Sequence, residues 1–236
     1  QVMTVEVGAM DANTLGGAPL GDIVGAAVDL ANLTFAGDDI TINGQTLATA
    51  DLTAANTVNE LLEVINEAVP NVTARAVTEV VGDTTGANGG VLSGADSMDF
   101  TVVDADGNSS TFSVSNTDGM ESLVDSINAA SGGKVKASLN DDGQLVLSND
   151  EGAQISVAYG GAADATTTGV AAGAHNASLS LTSNDGKGVT ITYDDSGDAA
   201  VLGVDIRETA GQITGQANTS QTALAAGDIV INGVEI

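Results

Sequence analysis

The chain has no cysteine and no tryptophan among its 236 residues. Without cysteine, a disulfide framework, a thiolate metal site and a cysteine nucleophile are all excluded. Aromatic residues make up only 2% of the chain, so we expect a hydrophobic core of alanine, valine, leucine and isoleucine. A chain of this length forms one large domain or about two to three small ones.

Basic residues are scarce as well. Five lysines and arginines stand against 32 aspartates and glutamates, which gives a formal net charge of −27. Nucleic acid is excluded as a partner, because binding requires cationic side chains to neutralise phosphates, and an anionic membrane is excluded for the same reason. No apolar run approaches the ~18 residues of a membrane span, and the first residues show no secretion-signal pattern. We therefore expect an acidic, soluble protein whose self-repulsion weakens with salt.

An internal repeat is the most informative pattern that the sequence contains. Residues 57–68 and 119–130 both place apolar side chains at i, i+3, i+4 and i+7, which predicts two amphipathic helices, each with one buried stripe. The predicted core stripes are Val58, Leu61, Leu62 and Ile65 in the first copy and Met120, Leu123, Val124 and Ile127 in the second. Both copies have an Ile-Asn pair near the helix end.

The helix starts and ends carry local signals. Thr57 with Glu60 predicts a capping box, and Asp118 with Glu121 predicts its acidic analogue. Asn66 and Asn128 follow the two buried isoleucines, and we expect them to be structural, bonding to turn backbone near the helix ends.

Strands are predicted before and after each helix. Ile40 and Ile42 lead into Asn43-Gly44, the strongest two-residue hairpin signal, and a longer hairpin is predicted around residues 104–108. Alternating strands follow the helices, at Val72, Ala74 and Ala76 and at Val135, Ala137 and Leu139. Further strands are predicted at 145–147, 155–157, 179–181 and 189–193.

The predicted fold class is α+β, rich in β structure, with repeated β-hairpin–helix–β units in two to three small domains. Glycine-rich stretches suggest the boundaries. We expect an N-terminal strand and the first unit in 1–91, the second unit in 92–175, and a mostly β segment in 176–236. The last ten residues repeat the start of the first unit as a truncated third copy, and the third segment is expected to pack back on the first unit.

The strand and turn Gly-Asp-Ile-x-Ile-Asn-Gly, followed by a helix ending in Ile-Asn, resembles the "IN" motif of the variable outer region of bacterial flagellins. Residues 138–148 also resemble the strand pair that follows this helix in the family. The resemblance covers most of residues 35–160 and the last ten residues, whereas the long terminal helices by which flagellins polymerise are absent.

This resemblance implies a structural protein without catalysis, an outer domain displayed on the flagellar filament and secreted to the cell exterior for motility. Its partners would be other flagellin subunits, mainly through the absent helices, and the family also admits O-linked glycans. The isolated chain is expected to be monomeric. The alternative is another extracellular structural or adhesive protein, such as the filament cap or a calcium-binding adhesin.

Catalytic chemistry finds little support in the sequence. His175 is the only histidine, so a zinc site would lack further histidine or cysteine ligands, and we interpret it as a solvated loop residue. Glycoside hydrolysis would need aromatic platforms that the chain lacks, and no phosphate-binding glycine loop occurs. We predict no enzyme, no cofactor, and no catalytic, cofactor-binding or metal-binding residue.

Four Asp/Asn/Gly clusters could offer oxygen ligands to calcium: 104–108, 140–143, 184–186 and 194–198. None fits the twelve-residue calcium loop with its closing glutamate. Because Asp and Asn before Gly are also the residues that tight turns require, the turn interpretation is favoured.

Overall fold

The computed structural model describes residues 23–30, 40–185, 188–193 and 201–204, together with the backbone of 230–231 and 234–235. The helices in this part of the chain are α1 (Thr49–Ala54), α2 (Val58–Ala68), α3 (Met120–Ser131) and α4 (Ala165–Thr168). The strands are β1 (Ile23–Ala27), β2 (Thr41–Ile42), β3 (Gln45–Thr46), β4 (Val72–Val81), β5 (Val91–Leu92), β6 (Ser97–Val103), β7 (Ser109–Val114), β8 (Thr117–Asp118), β9 (Lys136–Leu139), β10 (Leu145–Asn149), β11 (Gln154–Gly160), β12 (Gly173–His175), β13 (Ser178–Ser183), β14 (Ile191–Thr192), β15 (Val230–Ile231) and β16 (Val234–Glu235).

These strands form antiparallel sheets, which confirms the β-rich α+β class. A five-stranded sheet has the order β1-β13-β4-β10-β9, and a four-stranded sheet has the order β12-β11-β6-β7. Smaller sheets are β14-β2-β3, β5-β8 and β15-β16. The strands predicted at 145–147, 155–157 and 179–181 are present as β10, β11 and β13, whereas only Ile191–Thr192 of 189–193 is strand.

Aliphatic side chains gather in two cores. The first core takes its members from residues 23–74 and 179–204, and the second from residues 80–170. The predicted helix stripes face these cores: Leu61 and Ile65 are each 1% exposed, and Leu123 and Ile127 are 0% exposed. The other four stripe positions are half-buried, and three of them, Leu62, Met120 and Val124, pack against the cores. The periodicity therefore identified the buried faces of both helices.

One strand, β4, contributes to both cores. Its residues 72–77 pair with β13, and its residues 78–81 pair with β10. Val72 and Ala74 lie in the first core, and Val80 lies in the second. The second core is therefore built from a segment inserted between β4 and β13, and β13 returns to the first core. The boundaries at 91/92 and 175/176 stay a prediction.

The two helices begin differently. The Thr57 side chain accepts a hydrogen bond from the Glu60 backbone N–H at 3.2 Å, as a helix cap should. The Glu60 carboxylate accepts from the Asn56 N–H at 2.7 Å, one residue before the reciprocal partner of a capping box. The prediction for Asp118 is wrong, since α3 is capped by Gly119 with no side-chain bond. Asp118 instead belongs to β8 and pairs with Val91, so the helix starts one residue later than expected.

Both predicted hairpins are present. Asn43 and Gly44 have φ angles of 49° and 78°, the left-handed pair that a two-residue turn between β2 and β3 requires. Residues 104–108 join β6 to β7. At the predicted third copy, β15 pairs with β16, while the rest of residues 227–236, the N-terminal strand and residues 37–39 lie outside the described residues.

Candidate functional site

The second unit packs a hairpin, a helix and two strands around a small core. Phe100 and Phe112 on paired strands stack with their ring centroids 4.6 Å apart and their planes 11° apart. Ile127 of α3 belongs to the same core and is fully buried. Stacked rings of this kind add stability beyond the area that they bury. Two of the few aromatic residues in the chain are thus used to fix the hairpin of this unit.

The asparagine after each buried isoleucine makes two hydrogen bonds to one backbone position. The Asn128 Nδ2 donates to the Ala137 carbonyl at 2.9 Å, and the Ala137 N–H donates to the Asn128 Oδ1 at 2.9 Å. In the first unit, Asn66 makes the same pair with Ala74, at 3.1 Å and 2.7 Å. We predicted that these asparagines bond to turn backbone. That partner is wrong, because both asparagines bond to the strand that follows the helix.

Asn149 is a buried polar residue that the sequence analysis did not single out. Its Nδ2 donates to the Lys134 carbonyl at 2.8 Å, and its Oδ1 accepts from the N–H groups of Glu151 and Ala153, each at 2.9 Å. It therefore ties the loop after α3 to the loop after β10. The signal for it is a polar residue at an inward strand position, two residues after the buried Leu147.

The prediction that His175 lies in a loop is wrong. His175 ends the short strand β12 and pairs with Ile155. Its Nε2 lies 3.2 Å from the Ala171 carbonyl oxygen. Within the described residues, no three or more histidine, aspartate or glutamate side chains are placed to hold a metal ion.

The Asp/Gly clusters use their oxygen atoms within their own turns. The Asp104 carboxylate accepts hydrogen bonds from the Asp106 and Asn108 N–H groups at 3.1 and 2.8 Å. The bond from the Asn108 backbone is the main cause that lowers the pKa of Asp104. Asn140 accepts from the N–H groups of Asp142 and Gln144 at 3.1 and 2.9 Å.

The third cluster also bonds to nearby groups. The Thr73 hydroxyl donates to Asn184 at 2.9 Å, and the Ser183 hydroxyl donates to Asp185 at 2.8 Å. Residues 194–198 lie outside the described residues. The oxygen atoms of the three described clusters therefore stabilise turns and strand ends, in agreement with the turn interpretation.

The grooves of the described surface are acidic and open. The groove between α1 and α2 has a volume of 620 Å³, and its lining includes four alanines together with Asp51, Glu60, Glu63 and Glu67. A cleft of 350 Å³ lies where the first and second units meet. In the part of the chain that the structure describes, no helix is long and apolar enough to cross a membrane.

Comparison with known protein families gives one informative match. Residues 97–151 match the family model described as the flagellin hook IN motif. They include the hairpin β6–β7, α3, β9 and β10, so the family motif coincides with most of the second unit. The resemblance stated from the sequence is confirmed for this unit.

Solved structures give a weaker likeness. The D2–D3 domains of the flagellar cap protein FliD from Escherichia coli are 20% identical with a TM-score of 0.30, covering 52% of this chain and 87% of that one. The FliD D1–D2–D3 domains from the same organism are 18% identical with a TM-score of 0.27, covering 83% of this chain and 62% of that one. No curated protein sequence matches the chain.

Proposed function

We propose that this chain forms the surface-exposed outer domains of a flagellar filament subunit, outside the cell, with a structural and not a catalytic role. The flagellin IN motif at residues 97–151 is the observation that carries this proposal. The filament itself would be built by helices outside this chain. The chain would set the charge, hydrodynamic drag, lateral contacts and antigenicity of the filament surface.

The surface of the chain supports this role. The net charge of −27 gives neighbouring copies a mutual repulsion that keeps a crowded polymer soluble and that salt screens. Lys136 and Asp150 form an ion pair. Because only 5 basic residues stand against 32 acidic ones, most carboxylates have no cationic side chain to pair with. The proposal includes a monomeric state for the isolated chain at low ionic strength and the presence of O-linked glycans on the native protein.

The decisive experiment is immunogold electron microscopy of intact source cells with an antibody raised against this chain. Gold along the whole length of the filaments is the expected result. Gold confined to filament tips would assign the chain to a cap protein instead, and diffuse labelling of the cell surface would assign it to an adhesin. Pre-absorption of the antibody with the purified chain provides the control, since it should abolish all labelling.

The non-catalytic assignment is tested separately. The purified chain is expected to cleave neither glycans nor peptides in an activity screen. Turnover that disappears when one particular carboxylate is replaced by its amide would overturn this part of the proposal without affecting the localisation result.

A further inference from the structure

The backbone that Asn128 binds belongs to the edge of a sheet. Strand β9 is the last strand of the five-stranded sheet and pairs with β10 along one side only. Ala137 lies opposite Leu147 in that pairing, and both its N–H and its carbonyl group bond to the Asn128 amide. These two groups therefore point away from β10, toward the open edge, where a further strand would otherwise bind them.

The first unit repeats this arrangement at a different strand. Ala74 lies opposite Leu181 of β13, and β10 joins the other side of β4 only from residue 78 onward. At Ala74 the second side of β4 is consequently an edge, and its N–H and carbonyl group bond to Asn66. In both β4 and β9, an asparagine side chain thus bonds to the N–H and the carbonyl group of one edge residue, although the two strands have different partners.

A third edge is also covered by the chain itself. The Ala26 N–H of β1 donates to the Gly203 carbonyl at 2.7 Å, and a side chain at Gly25 would come within 2.4 Å of that oxygen. Residues 201–204 therefore lie against the open side of β1. At Ala137, Ala74 and Ala26, the edge groups of this sheet therefore bond to other parts of the same chain.

The chemistry of asparagine suits this task. Its primary amide offers a carbonyl acceptor and N–H donors in one plane, as a peptide group does, so it can bond to both edge groups of one residue. A carboxylate cannot donate to the carbonyl, and a serine offers a single short hydroxyl. Edge groups without such partners are templates for pairing with another chain.

From these observations we infer that the asparagine of each Ile-Asn pair replaces the missing neighbouring strand. The isoleucine anchors the helix in the core, while the two hydrogen bonds of the asparagine hold the helix against the strand edge and occupy its backbone groups. When the hydrogen bonds of Asn128 are removed, the edge of β9 becomes accessible and pairs with β9 of a second copy. This inference goes beyond the proposed function and does not depend on it.

A second copy fits the opened edge for reasons of charge. Strand β9, Lys136–Leu139, contains one lysine and no acidic residue, in a chain with a net charge of −27. Two copies that meet antiparallel at β9 place no acidic residue of the strand in the contact, and the carboxylates beside it, Asp141, Asp142 and Asp150, repel until salt screens them. Such a contact would use the same strand on both copies, as a twofold interface does.

The test compares Asn128→Ala with Asn88→Ala. Asn88 is exposed, and no hydrogen bond of its side chain is found within the described residues, so its replacement is a matched control. We expect the Ala137 amide to exchange with deuterium about tenfold faster in Asn128→Ala only, because its hydrogen-bond partner is lost. In about 1 M salt, where charge repulsion extends only about 3 Å, Asn128→Ala should sediment as a dimer or larger species and Asn88→Ala as a monomer.

A second variant shows whether the association uses this edge. Ser138 is an exposed residue of β9, and Ser138→Lys places there a long, strongly hydrated side chain that a second β9 would have to desolvate, a cost that salt does not screen. We expect the double variant Asn128→Ala, Ser138→Lys to return to the monomer while Ala137 still exchanges quickly. Association that persists in the double variant would show that another surface is responsible and would overturn the inference, as would a folded Asn128→Ala chain that stays monomeric in salt.

If Asn128→Ala does not fold, Asn128→Asp retains an acceptor for the Ala137 N–H and loses the donor to the Ala137 carbonyl. The inference then expects salt-dependent association of Asn128→Asp, again reversed by Ser138→Lys. A folded Asn128→Asp chain that stays monomeric in salt would contradict it.

Discussion

The two helix-containing units of this chain share the contact between helix and following strand and differ in almost everything around it. In both, a helix buries an isoleucine and bonds the next asparagine to the strand that follows, eight residues later in one case and nine in the other. The hairpins differ, because β2 and β3 have two residues each, whereas β6 and β7 have seven and six. The invariant part of the unit is therefore the junction between helix and strand, and the hairpin is free to vary.

The units also differ in how their cores are assembled. The second core comes from one continuous stretch, residues 80–170, whereas the first is completed by β13 and by Val189, Ile191, Leu202 and Val204. Residues 97–151, which match the family model, fall in the continuous unit. A motif that folds within one stretch is easier to read from sequence than one that borrows its partners from more than a hundred residues away.

The largest effect is expected from the buried isoleucines. Ile65→Ala and Ile127→Ala should each lower the free energy of unfolding by about 2–5 kcal/mol, because each leaves a cavity in a small aliphatic core. Both side chains are at most 1% exposed, so similar losses would show that the two units depend equally on this position. Urea unfolding followed by circular dichroism measures the loss.

Val24→Ala is the control for this comparison, since Val24 is 52% exposed and its truncation should change the stability little. A loss below about 1 kcal/mol for either isoleucine variant would contradict the claim that the helix stripe supports the core of that unit.

The contact between the units is expected to come second. Gly152 has a φ of 77°, and a side chain there would lie 2.5 Å from the Ala76 Cβ and 3.1 Å from the Val58 Cγ1. Gly152→Ala should therefore cost about 1–3 kcal/mol, from overpacking together with backbone strain. Gly133→Ala has a similar φ of 89° with no atom within 4 Å, so it measures the strain alone.

Thermal unfolding of both glycine variants gives the comparison. Equal losses would mean that the close approach of β4, α2 and the loop at Gly152 contributes nothing. A larger loss for Gly152→Ala would show that the two units are packed together and do not merely share a strand.

The sequence predicted those features of both units that depend on short-range pattern. The helix stripes, the Asn43-Gly44 turn and most strands follow from periodicity and turn chemistry. The partner of Asn128 could not be predicted, because it depends on where the helix docks against β9 in three dimensions. The prediction of a helix cap at Asp118 was wrong for a related reason. Asp118 pairs with Val91, and no local sequence pattern indicates that contact.

Substitutions at the two helix starts are expected to change the stability less, and in opposite directions. Thr57→Ala removes the only side-chain bond that Thr57 gives the backbone of α2 in the described structure, and should cost about 1 kcal/mol. Gly119 caps α3 with an extended backbone, φ 175°, and has open space where a side chain would lie. Gly119→Ser should therefore stabilise the chain by about 0.5 kcal/mol, because serine adds a capping oxygen and restricts the unfolded chain.

Chemical unfolding of the two variants decides whether the missing cap matters. Destabilisation by Gly119→Ser would contradict the assignment of Gly119 as the cap. An unchanged stability of Thr57→Ala would show that α2 is held by its buried face alone.

The smallest effect distinguishes the two hairpin turns by pH. The Asp104 carboxylate organises the β6–β7 turn, and its pKa lies below the ordinary aspartate value of 3.8, mainly because of the hydrogen bond from the Asn108 backbone. A lowered pKa means that the charged form favours the folded turn, so this stabilisation is complete above pH 3.8 and is lost as the pH falls through the lower folded value.

The Asn43-Gly44 turn contains no titratable side chain and should not respond. We expect the Asn108 amide resonance to move with a midpoint below pH 3.8 while that of Gly44 stays constant, and Asp104→Asn to abolish the movement. A midpoint at or above the ordinary aspartate value would show that the turn does not favour the carboxylate.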